Sequence, residues 1–509
     1  MTDAAAGFIR HPSRSLTRRT VLGAGLSATA LLALSACSPQ PQLLSPQSAA
    51  VRAAEKRRFS SGNSVAVDLR ASETTIDLAG TLAATWSYGT LPATTIRATQ
   101  GDLITARVVN DLPDGTTVHW HGIALRNDMD GAPHLTQDPI APGADFTYQF
   151  LAPKAGTYWF HPHVGTQRDR GLMGALIIED PREPLVYDDE WVVVLDDWID
   201  GVGATPPEVL AELSQGMSGM QGMSDTPAGQ GNLLKNARSS LLRGHAGDVK
   251  YPHYLVNGRP TGDPETFRSR PGARIRIRLI NAGGDTAFRV ALGAHRMTIT
   301  HTDGYPVEPV DVDSLLLGMG ERYDVLVTLG DGAFPFIAEA EGKQARGFAL
   351  VRTSALAEAP SADVTVDELT GQVGTAEKLL AAEEFALPNR DIARQLTVRL
   401  TGGMASYDWG LDKRQFNMDK PLENARVIRA GERVGIDFVN TTTMWHPMHL
   451  HGHTYQHVGG GPRKDTSIVV PGQTLSVIFD ADNPGQWMLH CHNVYHSESG
   501  MMTTVAYEK

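Results

Sequence analysis

The chain has 509 residues, 41% of them hydrophobic, and a formal net charge of −12. This length exceeds what one hydrophobic core accommodates, so about three domains are expected. The negative charge argues against nucleic acid as a partner and mildly favours cationic substrates such as metal ions, although many exported proteins are acidic for solubility alone.

The first apolar segment begins after Arg18 and Arg19 and continues through Leu34. Basic residues precede a Gly- and Ala-rich hydrophobic stretch that is too short for a membrane-spanning helix. The arginine pair resembles a twin-arginine export signal, and Leu34-Ser35-Ala36-Cys37 resembles a lipoprotein cleavage box. Residues 1–36 are therefore predicted to be a signal peptide, and a lipid on Cys37 is predicted to anchor the chain on the outer face of the cell membrane or in the periplasm. The alternative is an uncleaved, soluble tail.

Residues 37–60 are rich in Pro, Gln and Ser and are predicted to form a flexible tether. Two cysteines in an exported protein would ordinarily suggest a disulfide. Here Cys37 is assigned to the lipid and Cys491 lies among histidines, so we predict no disulfide.

Beyond the tether, short runs rich in Val, Ile, Thr and Arg alternate with Gly, Pro and Asp. The runs 104–110, 274–280 and 433–440 are typical of half-buried strands. Each follows a Gly and ends near an Asn, which indicates one unit repeated three times at the spacing of whole β-sandwich domains. The predicted fold is all-β, with Greek-key sandwiches at residues 61–182, 185–355 and 385–509 and a partly helical linker at 357–388.

Histidine pairs with one residue between them occur near both ends of this region. A strand directs alternate side chains to opposite faces, so each pair projects from one face. One such pair is often a simple surface or core pair, whereas four together indicate metal binding. The pairs are His119 and His121, His161 and His163, His449 and His451, and His490 and His492.

Cys491 lies between His490 and His492 and must point to the opposite face of the strand. One segment can therefore supply a thiolate to one metal ion and two imidazoles to another. His496 and Met501 follow closely, and His446 precedes another histidine pair. A thiolate with two imidazoles and a weak thioether is the arrangement of electron-transfer copper sites.

Four motifs resemble, in order and separation, the copper signatures of multicopper oxidases, from about residue 60 to the end. The resemblance implies three cupredoxin domains, with a copper cluster between the first and the third and a second domain that acts as a copper-free spacer. The export signal and cleavage box are similar to those of actinobacterial copper-resistance members of the family. The motifs are His119-Trp120-His121-Gly122, His161-Pro162-His163, His446-Pro447-Met448-His449-Leu450-His451-Gly452-His453 and His490-Cys491-His492.

The resemblance implies four copper ions. Reducing dioxygen to two waters takes four electrons, one from each copper, and the Cys491 backbone would join the outer copper covalently to the cluster. Met502 is an alternative axial ligand, but the family's spacing favours Met501. The implied ligands are His446, Cys491, His496 and axial Met501 for type 1, His119 and His449 for type 2, and His121, His161, His163, His451, His490 and His492 for the type 3 pair.

Oxygen reduction also consumes protons. Asp130 stands where the family places an acidic residue beside the cluster, so it is predicted to relay protons or to tune a copper-bound water. The alternative is a turn-forming Asp before Gly131. Some relatives carry a carboxylate directly after the last type 1 histidine, but here that residue is Ser497. Glu498, one residue further on, is the candidate second donor, and that assignment stays open.

Met217, Met220 and Met223 cluster in a Gly-, Ser- and Gln-rich segment, and Met444 lies two residues before His446. Thioethers favour Cu(I), so these residues predict an oxidase of Cu(I) that uses dioxygen and serves copper tolerance. Oxidation of phenols and aromatic amines would be a side activity or, as the alternative, the main one. The three clustered methionines could also be coincidental in a disordered loop.

The histidine pattern argues against two other classes of protein. A non-catalytic cupredoxin scaffold would not need the complete set of ten histidines and Cys491. A two-domain copper nitrite reductase would not need a binuclear pair. The chain is expected to act as a monomer, to touch the membrane only through its lipid and to bind no nucleic acid.

Overall fold

Strands cover the three runs that the repeated pattern predicted, as β4 (Leu103–Asn110), β15 (Arg274–Asn281) and β27 (Arg433–Asn440). Each of them pairs in parallel with an earlier strand and antiparallel with a later one. The computed structural model describes residues 41–216, 231–234 and 236–509, and within these ranges the all-β prediction is confirmed.

The asparagine that ends each of these strands is buried and closes the following turn in the same way. The Asn440 side chain donates to the carbonyls of Met444 (2.7 Å) and Val469 (2.9 Å) and accepts from the amide of Thr442 (2.9 Å). Asn110 and Asn281 each make the equivalent three hydrogen bonds. The repeat in the sequence therefore reflects one turn built three times, in which a buried amide satisfies backbone groups that would otherwise lack partners.

The first sandwich consists of β1 (Ser64–Leu78), β2 (Thr81–Ser87), β3 (Ala93–Thr99), β4, β5 (His119–His121), β6 (Asp145–Leu151), β7 (Gly156–His161) and β8 (Gly174–Glu179). The strands form two sheets, in the orders β2-β1-β4-β6 and β3-β8-β7-β5. The core between these sheets is aromatic, with Trp120, Tyr148 and Phe160 buried in it. The histidines of β5 thus belong to a strand that a packed core holds in place.

The middle sandwich consists of β9 (Asp189–Trp198), β10 (Arg238–Ser239), β11 (Gly244–His245), β12 (His253–Val256), β13 (Arg259–Pro260), β14 (Glu265–Arg268), β15, β16 (Phe288–Leu292), β17 (Met297–Thr302), β18 (Tyr305–Val312), β19 (Ser314–Leu317), β20 (Arg322–Thr328), β21 (Ala333–Ala340), β22 (Ala345–Arg352) and β23 (Val373–Gly374). Its main sheets run β13-β12-β9-β15-β20-β17-β18 and β14-β22-β21-β16-β19-β23, and β10 and β11 form a small separate ribbon.

The last sandwich consists of β24 (Arg394–Thr401), β25 (Gly410–Leu411), β26 (Arg426–Ile428), β27, β28 (His446–Leu450), β29 (Tyr455–His457), β30 (Arg463–Lys464), β31 (Thr466–Val469), β32 (Thr474–Asp480), β33 (Gln486–Cys491) and β34 (Met502–Tyr507). The sheets run β25-β24-β27-β32-β29-β30 and β26-β34-β33-β28-β31. The strands that carry the candidate ligands, β28 and β33, are therefore neighbours inside one sheet.

Helical segments of the described residues are short, and none is long and apolar enough to cross a membrane. They are the α-helices Ala49–Glu55, Pro206–Ser214 and Val494–Glu498 and the 3₁₀ turns Asn127–Met129, Gly165–Asp169, Asp367–Thr370, Ala376–Lys378 and Glu383–Phe385.

Two connecting segments differ from their predictions. In the predicted tether, the alanine-rich helix Ala49–Glu55 buries Val51 and Ala54, so this part packs on the protein because alanine favours helix and the apolar stripe needs cover. The linker contains three 3₁₀ turns and the short strand β23 where partial helix was predicted, and Leu369 from it is buried against the middle sandwich. The predicted signal peptide and Cys37 lie outside the described residues.

Candidate metal centres

Strand pairing brings the histidine pairs together. In the first sandwich, β5 and β7 run antiparallel with His119 opposite His161. In the last sandwich, β28 and β33 run antiparallel with His449 opposite His490. Because side chains two residues apart share a face of a strand, each pairing sets four imidazoles on one side of its sheet.

Eight buried histidines from the first and last sandwiches meet where the two sandwiches face each other. In each group of three, the ligand nitrogens lie within 4.8 Å of one another. Two of the groups coincide with the two halves of the type 3 set that the family resemblance implies, and the third contains both implied type 2 residues. The groups are His121, His161 and His492; His163, His451 and His490; and His119, His121 and His449.

Within these groups, ring nitrogens face each other at short range. The Nε2 atoms of His451 and His490 are 3.1 Å apart. The Nε2 atom of His163 lies 3.4 Å from the same Nε2 atom of His490. The other ring nitrogens of His451 and His490 contact oxygen acceptors, which makes both facing atoms lone-pair donors. Such atoms repel each other unless a cation lies between them, so this geometry suits a metal ion.

Oxygen atoms hold the outward nitrogens of most cluster histidines. Such a contact fixes the tautomer and the ring orientation of a ligand. The contacts are His119 Nδ1 to Asp130 O (2.9 Å), His161 Nδ1 to Pro162 O (2.8 Å), His449 Nδ1 to Asp465 O (3.0 Å), His451 Nδ1 to Asp130 Oδ2 (2.9 Å) and His490 Nδ1 to Cys491 O (2.8 Å).

Three cluster histidines, among them both residues implied for type 2 copper, have ring nitrogens that lack a partner. The Nε2 atoms of His119 and His449 and both ring nitrogens of His492 are buried and have no hydrogen-bond partner among the described residues. Leaving a buried polar atom unpaired costs about 1–3 kcal/mol. Unpaired nitrogens of this kind within a group of eight imidazoles fit bound metal ions.

Burial also keeps these histidines in the form that binds metal. It lowers the pKa of His121, His161, His163, His490 and His492 well below the ordinary value, and neighbouring positive groups lower it further. A neutral imidazole is the ligand form, so no proton has to be removed before a metal ion binds.

A second centre lies on the opposite side of β33. The Sγ atom of Cys491 is 3.6 Å from Nδ1 of His446 and 3.7 Å from Nδ1 of His496, and those two nitrogens are 3.1 Å apart. Thr442 Oγ1 contacts the outer nitrogen of His446 at 2.8 Å. The free, buried thiol and two imidazoles thus converge on one point, back to back with the histidine cluster.

The outer nitrogen of His496 lies 3.0 Å from Oδ2 of Asp248, a residue that the sequence analysis missed. Burial alone would lower the pKa of His496, but Asp248 and the Cys491 sulfur outweigh it and raise that pKa to about 10. Asp248 and the Cys491 sulfur therefore favour a positive charge at the thiolate centre. No sequence signal pointed to Asp248, because it lies 248 residues before His496.

Met501 and Met502 lie on different sides of the last strand. Met501 is buried in the same apolar cluster as Cys491, and its backbone bonds to both Cys491 and His496 at 3.0 Å. Met502 pairs with His490 and packs in a separate apolar cluster. This placement favours Met501 as the methionine next to the thiolate centre.

Asp130 ends the 3₁₀ turn Asn127–Met129, and its carboxylate also lies in the cluster. Its carboxylate contacts Nδ1 of His451 at 2.9 Å and Nδ1 of His119 at 3.3 Å. Burial opposes ionisation, but the two imidazoles, His451 first, lower the pKa of Asp130 below its ordinary value. The carboxylate is therefore charged and orients one histidine of the type 2 set and one of the type 3 set.

Glu498 lies beside Arg168, which donates to the carbonyl of His492 at 3.1 Å. Burial raises the pKa of Glu498 to about 7, and Arg168 opposes that rise. Met444 is buried in the apolar cluster that contains Cys491. Met217, Met220 and Met223 lie outside the described residues.

The fold and the two centres define a cupredoxin-type metalloprotein with one thiolate site and one histidine cluster. Family models described as multicopper oxidase match residues 70–183, 189–359 and 389–509. The chain is 47% identical over 513 residues to multicopper oxidase MmcO of Mycobacterium tuberculosis, with all of both chains covered. The chain belongs to the multicopper oxidase family.

Two further likenesses support this assignment. The chain is 29% identical to a copper resistance protein A homolog of Pseudomonas syringae, covering 87% of this chain and 92% of the relative. In structure it resembles Fet3p, a multicopper oxidase that functions in iron import, with a TM-score of 0.72, 22% identity, and 87% and 90% of the two chains covered. At 22% identity, the similarity to Fet3p supports the fold assignment alone.

Proposed function

We propose that the protein holds four copper ions and couples the oxidation of Cu(I) to the reduction of dioxygen to water. The observation that carries this proposal is the cluster of eight buried histidines behind Cys491, with three Nε2 atoms left unpaired among the described residues. Bound copper would supply one-electron transfer at the thiolate centre and oxygen reduction at the cluster. The proposed ligands are those that the family resemblance implied.

The chain itself provides the proposed route between the two centres. His490 and His492 are the covalent neighbours of Cys491, and the Nδ1–H of His490 donates back to the carbonyl of Cys491 at 2.8 Å. A few bonds and one hydrogen bond therefore separate the thiolate from two imidazoles of the cluster. Electrons that arrive at Cys491 need no further side chain to reach the cluster ligands.

Asp248 is the proposed entry point for electrons. One carboxylate oxygen contacts the outer nitrogen of His496 and accepts a hydrogen bond from the Tyr407 hydroxyl at 2.8 Å. The other oxygen, Oδ1, is buried and without a partner among the described residues. A carboxylate oxygen in this position can receive a cation within one side chain of the thiolate centre.

The described residues on either side of the methionine-rich segment lie close to Asp248. A small cavity beside Asp248 is lined by Leu213 and Leu233, which flank residues 217–230 on either side. Asn232 also donates to Glu212 at 3.1 Å and joins the two flanks. This supports a thioether route for Cu(I) towards Asp248.

Asp130 and Glu498 are the proposed groups for proton supply and positioning at the cluster. Asp130 would hold His119 and His451, whereas Glu498 would deliver protons from the side of Arg168 and His492. Replacing Glu498 with Gln is expected to slow reoxidation by dioxygen and to leave reduction of the thiolate centre by substrate unchanged. Rapid-mixing absorption measurements separate the two steps, and an equal effect on both would contradict the role.

The Cu(I) assignment is tested by steady-state oxidation of Cu(I) and of a phenol. Asp248→Asn and a triple Met217, Met220 and Met223 to Ser variant should lower Cu(I) turnover at least about 10-fold and affect the phenol less. The matched control changes Ser218, Gln221 and Ser224 of the same segment to Ala and should leave both rates unchanged. Unaffected Cu(I) turnover with phenol as the better substrate would favour the laccase-like alternative.

Export by the twin-arginine route, a lipid on Cys37 and action as a monomer complete the proposal. The sequence Leu34-Ser35-Ala36-Cys37 supports the lipid anchor. Replacing Cys37 with Ser should release the protein from the membrane fraction without changing its colour. Retention of the variant in that fraction would contradict the anchor.

A further inference from the structure

The middle sandwich reaches the histidine cluster through Arg322, which begins β20 and is fully buried. The Arg322 guanidinium contacts all three sandwiches. Its Nε donates to the carbonyl of Thr157 in the first sandwich at 3.0 Å, and Nη1 donates to that of Gly320 in its own at 3.0 Å. Nη1 and Nη2 donate to the two oxygens of Asp465 in the last sandwich at 2.7 Å and 2.6 Å.

Asp465 in turn holds two histidines of the cluster. Its Oδ1 lies 3.1 Å from Nε2 of His121, and its backbone carbonyl lies 3.0 Å from Nδ1 of His449. The Thr466 hydroxyl adds a contact of 3.1 Å to His121. These contacts occupy the outward nitrogens, so Nδ1 of His121 and Nε2 of His449 are the atoms left to face the cluster.

The backbone of Asp465 is fixed from the same direction. Asp303 of the middle sandwich accepts from the amides of Asp465 and Thr466 at 3.1 Å. The other oxygen of Asp303 accepts from the amide of Arg322 at 2.9 Å. Both the carboxylate and the main chain of Asp465 are therefore held by the middle sandwich, through Arg322 and Asp303, which are hydrogen-bonded to each other.

No space is left between the Arg322–Asp465 pair and the backbone at the end of β5, which carries His121. A Cβ atom on Gly122, directly after His121, would lie 2.3 Å from Nη2 of Arg322 and 2.7 Å from Oδ2 of Asp465. Gly122 also has a φ of +85°, which suits glycine. The Arg322–Asp465 pair thus packs directly against the backbone that carries His121.

We propose that Arg322 is a positioning residue of the copper cluster, which makes the middle sandwich a working part of the metal centre rather than a spacer. The planar guanidinium binds both oxygens of Asp465 and so fixes the plane of the carboxylate that orients His121. This inference rests on the proposed four-copper function.

The competing explanation is that Arg322 merely joins the sandwiches. Arg276, in the neighbouring strand β15, offers a matched control. It is also buried, it donates through Nε and Nη2 to one oxygen of Asp324 (3.1 Å and 2.6 Å), and Asp324 reaches the first sandwich through Thr157. Unlike those of Asp465, the side-chain hydrogen bonds of Arg276 and Asp324 in the described part of the chain reach no cluster histidine.

The test compares wild type, Arg322→Gln, Arg322→Lys and Arg276→Gln as copper-loaded proteins. Copper content and the blue absorption of wild type test the four-copper function itself. Chelator competition, the electron paramagnetic resonance signal of type 2 copper and the near-ultraviolet band of the type 3 pair then report on the cluster. Thermal unfolding reports on general stability.

Arg322→Gln should keep the blue thiolate centre, lose cluster affinity about 10- to 100-fold and change the type 2 signal, with Arg322→Lys intermediate. Arg276→Gln should lower stability and leave the cluster signals as in wild type. Wild-type cluster signals in Arg322→Gln, or the same cluster loss in Arg276→Gln, would overturn the inference. If Arg322→Gln does not fold, Arg322→Lys decides, since unchanged cluster affinity there would refute the need for two-point binding.

Discussion

Cys491 shows how one residue divides two chemical sites. Its side chain meets His446 and His496, while the side chains of His490 and His492 point to the opposite side of the strand. The alternation of a strand achieves this with three consecutive residues, so the two centres stay a fixed distance apart. Separate loops would need many more contacts to keep the same spacing.

Cys491→Ser should therefore remove one centre and spare the other. We expect the variant to bind three copper ions where wild type binds four, because His490 and His492 remain in place. It should lack the blue absorption and show no measurable oxidation of Cu(I), because the thiolate is gone. Copper content per chain and the visible spectrum check this. Loss of all copper from the variant would contradict two separable sites.

At the scale of elements, the helix Val494–Glu498 returns the chain to the thiolate centre. Asn493 caps its first turn by accepting from the amides of Tyr495 and His496, which places His496 opposite Cys491. The Tyr495 hydroxyl then donates to Asp169 at the end of the 3₁₀ turn Gly165–Asp169, and Tyr251 adds a second hydrogen bond. The first, middle and last sandwiches therefore meet around one buried carboxyl group.

Asp169 gives this junction a pH dependence. Burial, and then the charge of Asp197, raise the pKa of Asp169 well above its ordinary value, so the folded protein favours the neutral acid. The stabilising contribution is complete below the ordinary pKa of an Asp, about 4, and is lost as the pH rises towards the raised value. Asp169→Asn should therefore gain stability relative to wild type as the pH increases. Urea unfolding of copper-free protein measures this, and parallel pH curves would contradict it.

The repeated asparagine turn permits a paired prediction. Asn440→Ala removes the side-chain hydrogen bonds to the carbonyls of Met444, two residues before His446, and of Val469, at a cost of about 1–3 kcal/mol for the two together. We expect lower unfolding free energy together with weakened blue absorption. Asn110→Ala, the same change in the first sandwich, should lower stability similarly and spare the colour. Equal colour loss in both variants would argue against a local effect.

At the scale of the whole molecule, residues from both ends of the described chain complete one cluster, and the middle sandwich supports it through Arg322. Copper should therefore stabilise the folded protein, since an unfolded chain cannot hold ligands separated by more than 300 residues in one site. At a free concentration 100 times its Kd, each ion adds about 2.7 kcal/mol. Calorimetry of apo and loaded protein checks this, and identical unfolding temperatures would contradict it.

The sequence predicted the parts of the site that depend on local spacing. Histidines two residues apart on a strand, with Cys491 between two of them, can be recognised without a structure because strand geometry fixes their directions. Asp248, Asp465 and Arg322 could not be predicted. Asp248 and Asp465 each reach a histidine across a domain boundary, Arg322 reaches Asp465 across another, and no local pattern distinguishes a buried charged residue from an exposed one.

The most direct test is a crystal structure of the copper-loaded protein with anomalous scattering measured at the copper edge. The account predicts one copper peak among His446, Cys491 and His496 and three peaks among the eight clustered histidines. A single peak at the thiolate centre, with the eight imidazoles free of metal, would contradict it.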